Sequence, residues 1–407
     1  MAEIEVPPYF LCPISLDIMK DPVTVSTGIT YDRDSIEEWI FSQKNNTCPV
    51  TKQVLVDPEL TPNITLRRVI QSWCTLHASQ GVERLPTPKA PVSKPQLLKL
   101  LRDANSPQKQ MKCLETLKSM VSQNQTNKRC MEAAGAAEFL ASLIVKKTLE
   151  ASRGDDSDSK KACDEALSIL YSLQLSESGL KSLNNSEFVE SLTLVMQSGS
   201  YESRAYSVML LKSMLEVADP SLLINLRPEF FAELAQILND QISQKASKAT
   251  LKALIIACPW GRNRIKAVES GSVPVLIDLL LDSHDKRACE MMLTALDLLC
   301  QCAEGRAELL KHGAGLAIVS KKILRVSQAA SERAVRILQS VSRFSATPRV
   351  LQEMLQIGVV TKLCLVVQVE CGSRTMERAR EMLKLHARAW RNSSCIPKNL
   401  ISSYPSC

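Results

Sequence analysis

Two short motifs of one kind stand near the start of the chain: Cys12-Pro13-Ile14-Ser15 and Cys48-Pro49-Val50-Thr51. Each carries a thiol at its first position and a hydroxyl at its fourth. Paired cysteines at that spacing, helped by histidines between them, are what tetrahedral zinc sites take as ligands. The intervening run Thr27-Gly28-Ile29-Thr30-Tyr31-Asp32-Arg33-Asp34-Ser35 holds neither Cys nor His. Two thiols cannot build two tetrahedral sites, and Asp32 does not rescue them. No metal and no cofactor is therefore expected. The loops must instead be held by hydrogen bonds and ion pairs among Ser15, Thr27, Asp32, Ser35 and Thr51, with Arg33 and Glu37 adding charge. Cys12 and Cys48 also lack a nearby His to activate them as nucleophiles.

The elements that position these residues follow from the pattern around them. Val23 and Val25 alternate with polar residues, Ser26-Thr27-Gly28 can turn, and Ile29 to Tyr31 return, which predicts a hairpin over 22–31. A helix follows, capped by Asp32 or Asp34, with Asp34 and Glu37 spaced as a capping box. Ile36, Trp39 and Ile40 form its apolar face. Gln43 to Thr47 is a polar loop. Asn63 can cap a second helix whose stripe is Leu66, Val69, Ile70, Trp73 and Leu76. Prolines at 86, 88, 91 and 95 exclude a regular helix and predict an extended linker over 81–95.

The remainder repeats itself. Residues 127–145, 179–195, 224–238, 263–281, 306–324 and 349–367 align so that their turns fall at Gly135, Asn184, Leu226, Gly271, Gly313 and Gly358. The interval is about 42 to 49 residues, the period of armadillo and HEAT repeats. The long first interval holds the charged insertion SRGDDSDSKK (152–161), expected as a solvent loop. Such repeats stack into a solenoid with a long concave face.

Composition agrees with helix-on-helix packing: 45% of the 407 residues are hydrophobic, only 4% aromatic, and glycines number 13. No signal peptide is visible at the N-terminus, and no apolar run approaches the length of a membrane span. The 14 cysteines are scattered, no two of them three apart, and many sit in apolar helical runs. They are expected as reduced thiols acting as small core hydrophobes, in a protein of the cytoplasm with the nucleus as an alternative. The net charge of +7 is spread along the chain and does not argue for nucleic acid.

Residues 6–79 resemble the U-box, the zinc-free relative of the RING domain found in ubiquitin ligases. The paired Cys-Pro motifs, Gly28 and Tyr31 carry the resemblance. With the repeats, including CPWGRNRIKAVESGSVPVLIDLLLD (258–282), the chain resembles plant U-box proteins with C-terminal armadillo repeats, in the branch tied to pathogen response and water stress. The resemblance implies a mainly α protein: a small α+β U-box over 6–80, the linker 81–95, a solenoid of about six armadillo repeats over 96–391, and a flexible tail over 392–407. It implies a ubiquitin-protein transferase without a covalent intermediate. The U-box would hold a ubiquitin-charged conjugating enzyme, gaining rate from proximity and a fixed thioester pose, and the repeats would recruit a protein substrate. Ile14, Trp39, Pro49 and Val50 would form the docking patch, and Lys52 would stand where related domains place a basic group that clamps ubiquitin. The alternative is a non-catalytic adaptor whose U-box serves for docking or dimerisation. Retention of Ile14, Trp39 and Pro49 favours the ligase.

Two further stretches carry charge chemistry. Between Lys321 and Arg349, the cations Lys321, Lys322, Arg325, Arg333, Arg336, Arg343 and Arg349 face the single acid Glu332. If Arg325, Arg333, Arg336 and Arg343 line the groove, they favour an acidic partner surface; a solvated outer face is the plainer alternative. Thr61-Pro62 and Thr87-Pro88 flank the second U-box helix as sites for a proline-directed kinase. Related U-boxes pair near this helix, so phosphate on Thr61 is expected to oppose a homodimer, while phosphate on Thr87 would act as a docking mark.

Overall fold

The computed structural model describes residues 6–43, 45–55, 60–78, 82, 94–151, 157–369 and 371–390, apart from the side chains of 41, 42 and 157. Most of the predicted linker, Thr87 and the predicted tail lie outside these residues. The chain divides into two compact units, 1–134 and 135–407.

In the first unit, β1 (Pro22–Thr24) pairs antiparallel with β2 (Thr30–Asp32), and Val23 lies opposite Tyr31. Gly28 makes the turn at φ 82°, a backbone that residues with a Cβ rarely adopt. A third short strand, β3 (Thr61–Pro62), adds to the other edge of β1. Thr61 is thus a strand residue, paired with Thr24, two residues before the Asn63 cap of the following helix.

Helix α1 (Arg33–Glu37) runs into a π-helical turn over Glu38–Ser42. No side chain caps it, so the expected capping box is absent. Asp32 is committed elsewhere, accepting from the Lys20 and Asp21 N–H groups at 2.7 and 2.9 Å. Glu37 is buried and accepts from the Thr126 hydroxyl. Helix α2 (Ile64–Leu76) is capped by Asn63, whose side chain accepts from Leu66 N–H at 3.1 Å. Its inward face is Leu66, Ile70, Trp73 and Cys74; Val69 and Leu76 of the predicted stripe are exposed. Cys74, four residues after Ile70, completes the inward face in place of Leu76.

The core of this part gathers Phe10, Met19, Val23, Tyr31, Ile36, Ile70 and both cysteines. Arg33 ties its edge together: its Nε lies 2.6 Å from Asp21, which also meets Arg67 of α2 at 3.5 Å. The unit closes with α3 (Lys94–Asp103), α4 (Pro107–Val121) and α5 (Gln125–Ala133), which pack on one another.

The second unit opens with a pair, α6 (Ala136–Ala151) and α7 (Ser157–Leu173). The end of the charged insertion therefore forms the first turn of α7 instead of a loop. Five three-helix repeats follow. They are α8 (Glu177–Ser182), α9 (Ser186–Ser198) and α10 (Tyr201–Glu216); α11 (Pro220–Ile224), α12 (Pro228–Asp240) and α13 (Gln244–Ala257). Next come α14 (Gly261–Glu269), α15 (Ser272–Asp282) and α16 (Lys286–Leu299), then α17 (Ala303–Lys311), α18 (Gly315–Lys322) and α19 (Gln328–Phe344). The last set is α20 (Pro348–Gln356), α21 (Val359–Gln368) and α22 (Ser373–Leu385), closed by α23 (Ala387–Trp390).

Second helices stack on second helices, and third helices on third, giving two layers. The predicted turn positions fall between first and second helices. Gly271 and Gly358 hold φ near 79° there, so a side chain at either would be strained. Within each repeat the buried positions are mainly Leu, Ile, Val and Ala. Among the described residues no single helix is long and apolar enough to cross a membrane.

Candidate functional site

The two Cys-Pro motifs form two loops of one design. In the first, Cys12 N–H donates to Asp17 C=O at 2.8 Å and Leu16 N–H returns to Cys12 C=O at 2.8 Å. In the second, Cys48 N–H donates to Gln53 C=O at 2.8 Å and Lys52 N–H returns to Cys48 C=O at 2.9 Å. Leu11 bridges Ile18 in one loop, and Thr47 bridges Val54 in the other. Leu16 and Lys52 stand at the same turn with φ 62° and 60°, left-handed backbone that each loop must hold by its own hydrogen bonds.

Strand β2 ties both loops to the sheet. Asp32 N–H points to the Cys12 Sγ at 3.3 Å, and its carboxylate holds the backbone of Lys20 and Asp21. The Tyr31 hydroxyl meets the Cys48 Sγ at 3.0 Å and accepts from Val50 N–H at 3.2 Å. Tyr31 is fully buried. Its role in closing the second loop was not among the expected site residues; the signal was a lone aromatic beside Asp32.

Thiol chemistry follows from these contacts. Burial raises the Cys12 pKa, but N–H groups of Ser15, Asp32 and Ile14 outweigh it and bring it below the usual thiol value. Burial likewise opposes ionisation of Cys48, yet the nearby Thr27 hydroxyl and hydrogen bonding by Thr51 and Tyr31 lower its pKa to about 6. Burial and the neighbouring Cys48 push the Tyr31 phenol upward. Both sulfurs thus accept hydrogen bonds at the hinge of their loops while fully buried. Ser15 and Thr51 stay in this arrangement: the Ser15 hydroxyl approaches Asp17 N–H at 3.4 Å, and Thr51 N–H points to Cys48 at 3.5 Å. Ser35 does not belong to it. It lies on α1, and its hydroxyl makes no hydrogen bond among the described residues.

The expected docking residues lie on these loops and on the helical turn between them. Ile14, on the first loop, is half-buried against the core. Val50 is 51% exposed, and Leu16 and Val54 are more exposed still, which adds two apolar side chains that the sequence reading did not single out. Pro49 is half-buried. Trp39 joins helix to loop: its indole N–H donates to Thr47 C=O at 2.8 Å, and its ring packs on the core. The Lys52 ammonium sits 6.0 Å from the centre of that ring. Among the described residues no three His, Cys, Asp or Glu side chains converge as a metal site would require.

The basic stretch of the repeats is rearranged by stacking. Arg333 and Arg336 of α19 both reach one carboxylate oxygen of the buried Asp297 on α16, at 3.2 and 3.3 Å. Arg343 faces Glu381 of α22 at 3.8 Å, and Arg378 of α22 faces Glu332 at 3.3 Å. Burial raises the Asp297 pKa, opposed by Arg336 and Arg333. Lys322 is buried and donates to Ser283 C=O at 2.8 Å. Arg333, Arg336 and Arg343 are therefore not free: the acids that answer them come from neighbouring repeats, out of sight of the local sequence. Arg325 is exposed, on the turn after α18.

Hydrogen-bonded paired loops in one unit and a two-layered stack of three-helix repeats in the other define the class, a U-box protein with armadillo repeats. Residues 6–79 match the U-box domain, and residues 96–406 match the plant U-box protein ARM repeat region. The chain is 60% identical to the E3 ubiquitin-protein ligase PUB23 of Arabidopsis thaliana, over 99% of this chain and 98% of that one. It is 57% identical to PUB22 of the same plant, also an E3 ubiquitin-protein ligase, over 99% of both chains. An engineered protein of known structure covers 86% of this chain and 83% of its own at 15% identity with a TM-score of 0.50, a likeness of fold alone. The chain belongs to the family of plant U-box ubiquitin-protein ligases with armadillo repeats.

Proposed function

We propose that the U-box docks a ubiquitin-charged conjugating enzyme on Ile14, Trp39, Pro49 and Val50, and that the repeats recruit the protein to be modified. The observation that carries this is the latch between the helical turn and the second loop. Trp39 donates to Thr47, and Lys52 lies over its ring, while Val50 on the same loop stays open to solvent. A loop held this firmly presents its apolar side chains preorganised, which lowers the ordering cost of binding. Lys52 reaches ubiquitin from the same loop as a positional donor; Arg would suit a bidentate contact better.

The acidic face of a substrate would meet the third-helix layer, where Arg333 and Arg336 remain about one-third exposed beside Asp297. The regulatory setting we infer is defence or stress signalling, in the cytoplasm and with access to the nucleus. The relatives named above support a ligase and say nothing further of partner or place. A panel of charged conjugating enzymes, scored for ubiquitin discharge to free lysine, tests the docking proposal. Faster discharge from one or more members, lost in Ile14→Ala, is the expected result. No acceleration from any member would leave the docking patch without its role.

A further inference from the structure

The second-helix layer carries a cleft where its repeat pattern is broken. Helices α14, α17 and α20 each have nine residues, whereas α8 has six and α11 has five, ending at Ile224. The turn that follows it bears Leu226, where three later repeats have Gly. About 150 Å³ lies open between α9, α12 and the end of α11 with its turn. Its floor is apolar: Leu226 and Phe230 are buried, and Leu194 lends an edge that is 37% exposed.

The rim has the opposite character. Glu190, Glu229 and Glu233 surround it, with Arg227 as the one cation among the lining residues. Arg227 is taken by Glu190 at 2.8 Å. Glu229 and Glu233 stand one turn apart on α12, and neither makes a hydrogen bond or ion pair among the described residues. Partial burial raises the Glu233 pKa although Arg204 lies near enough to oppose it. A chain of net charge +7 therefore carries here an acidic mouth over an apolar floor.

We propose that this cleft is a second protein-docking site, taking one long basic side chain, an arginine or lysine, from a surface segment of a partner protein. The space is smaller than the roughly 300 Å³ at which small-molecule pockets begin, so it holds a single side chain and not a helix. A long basic residue matches both parts at once. Its methylene stem lies along Leu194 and Phe230, and its charged head stays at the wet rim between Glu229 and Glu233. Arg227 competes for the same rim by holding Glu190. The site lies in the second-helix layer, apart from the third-helix arginines proposed above for an acidic partner.

The test uses the full-length protein and capped pentapeptides, acetyl-Ala-Ala-X-Ala-Ala-amide, with X as Arg, norleucine or Glu. Methyl signals of Leu194 and Leu226 report occupancy. The Arg peptide should shift them saturably at concentrations up to about 10 mM, the range of single-contact binding, and at least tenfold more tightly than the other two. The double variant Glu229→Gln/Glu233→Gln should weaken the Arg peptide about tenfold. Arg227→Ala should strengthen it severalfold, because Glu190 is released. A purely structural role for Arg227 cannot give that sign, and circular dichroism checks that each variant folds. Norleucine binding as well as Arg, weaker binding by Arg227→Ala, or no saturable shift would each overturn the proposal. Ubiquitin discharge by the U-box should be unchanged in these variants, so failure here is separate from failure of the ligase docking patch.

Discussion

At the scale of single residues, a few exacting contacts hold the two U-box loops. Tyr31→Phe removes one hydroxyl that serves both Cys48 and Val50 N–H. Leaving a buried polar group such as the Cys48 sulfur without its partner costs about 1–3 kcal/mol, so the variant should melt several degrees lower, measured by calorimetry on the intact chain. Ile14→Ala removes an apolar anchor, and such truncations typically cost about 2 kcal/mol or more in binding. Autoubiquitination should fall by more than tenfold. Because Ile14 is half-buried against the core, a modest drop in melting temperature is also expected. Normal activity in a destabilised Ile14→Ala protein would make the residue core and nothing else. The sequence showed that Cys12 and Cys48 cannot form two zinc sites. It did not show that their sulfurs accept N–H groups, because those donors come from β2 and from the loop backbone, whose geometry exists only once the hairpin has formed.

At the scale of elements, β3 sets the stage for regulation. Thr61 is exposed and sits opposite Thr24 on the sheet edge, one residue before the next strand position and two before the Asn63 cap. A phosphate adds about −1.5 to −2 charges at neutral pH, and an exposed strand position accommodates it without loss of the core. Thr61→Glu is expected to shift the protein toward monomer in light scattering and to slow autoubiquitination in trans. Equal mass and equal rate would remove Thr61 as a switch. The helix period, the Asn63 cap and the positions of the repeat turns were legible from sequence, since each is a local preference of the backbone. The pairing of Arg333, Arg336 and Arg343 was not. Their acids lie one repeat away in the chain, and only stacking of third helices brings them alongside. The same reason hid Glu37, which looked like a cap and is instead buried against Thr126 of α5.

At the scale of the whole chain, the first compact unit extends past the U-box to include α3–α5. A fragment of residues 1–134 should therefore be more stable than one of residues 1–80, which would leave Glu37 uncovered. Both should still promote ubiquitin discharge, and both should fail to select the natural substrate; thermal melts and a discharge assay separate the two effects. Identical melting of the fragments would show that α3–α5 lend the U-box no support. Strong chelators should leave folding and discharge intact in the full chain, as expected of loops latched by backbone hydrogen bonds. Loss of structure on chelation, with stoichiometric zinc in the purified protein, would contradict that.

The ion pairs between successive third helices bear on how such a solenoid can change over generations. A repeat whose charges were answered inside itself could be duplicated, deleted or exchanged like a tile. Here Asp297 is answered by Arg333 and Arg336, and Glu332 by Arg378, each from the following repeat. Cutting between α16 and the following repeat strands the buried Asp297 on one side and two guanidinium groups on the other, and an orphaned buried charge is expensive. Inheritance is thus constrained to neighbouring repeats together, and new binding surfaces are expected to arise by point substitution at exposed positions, with the order of the repeats left as it is.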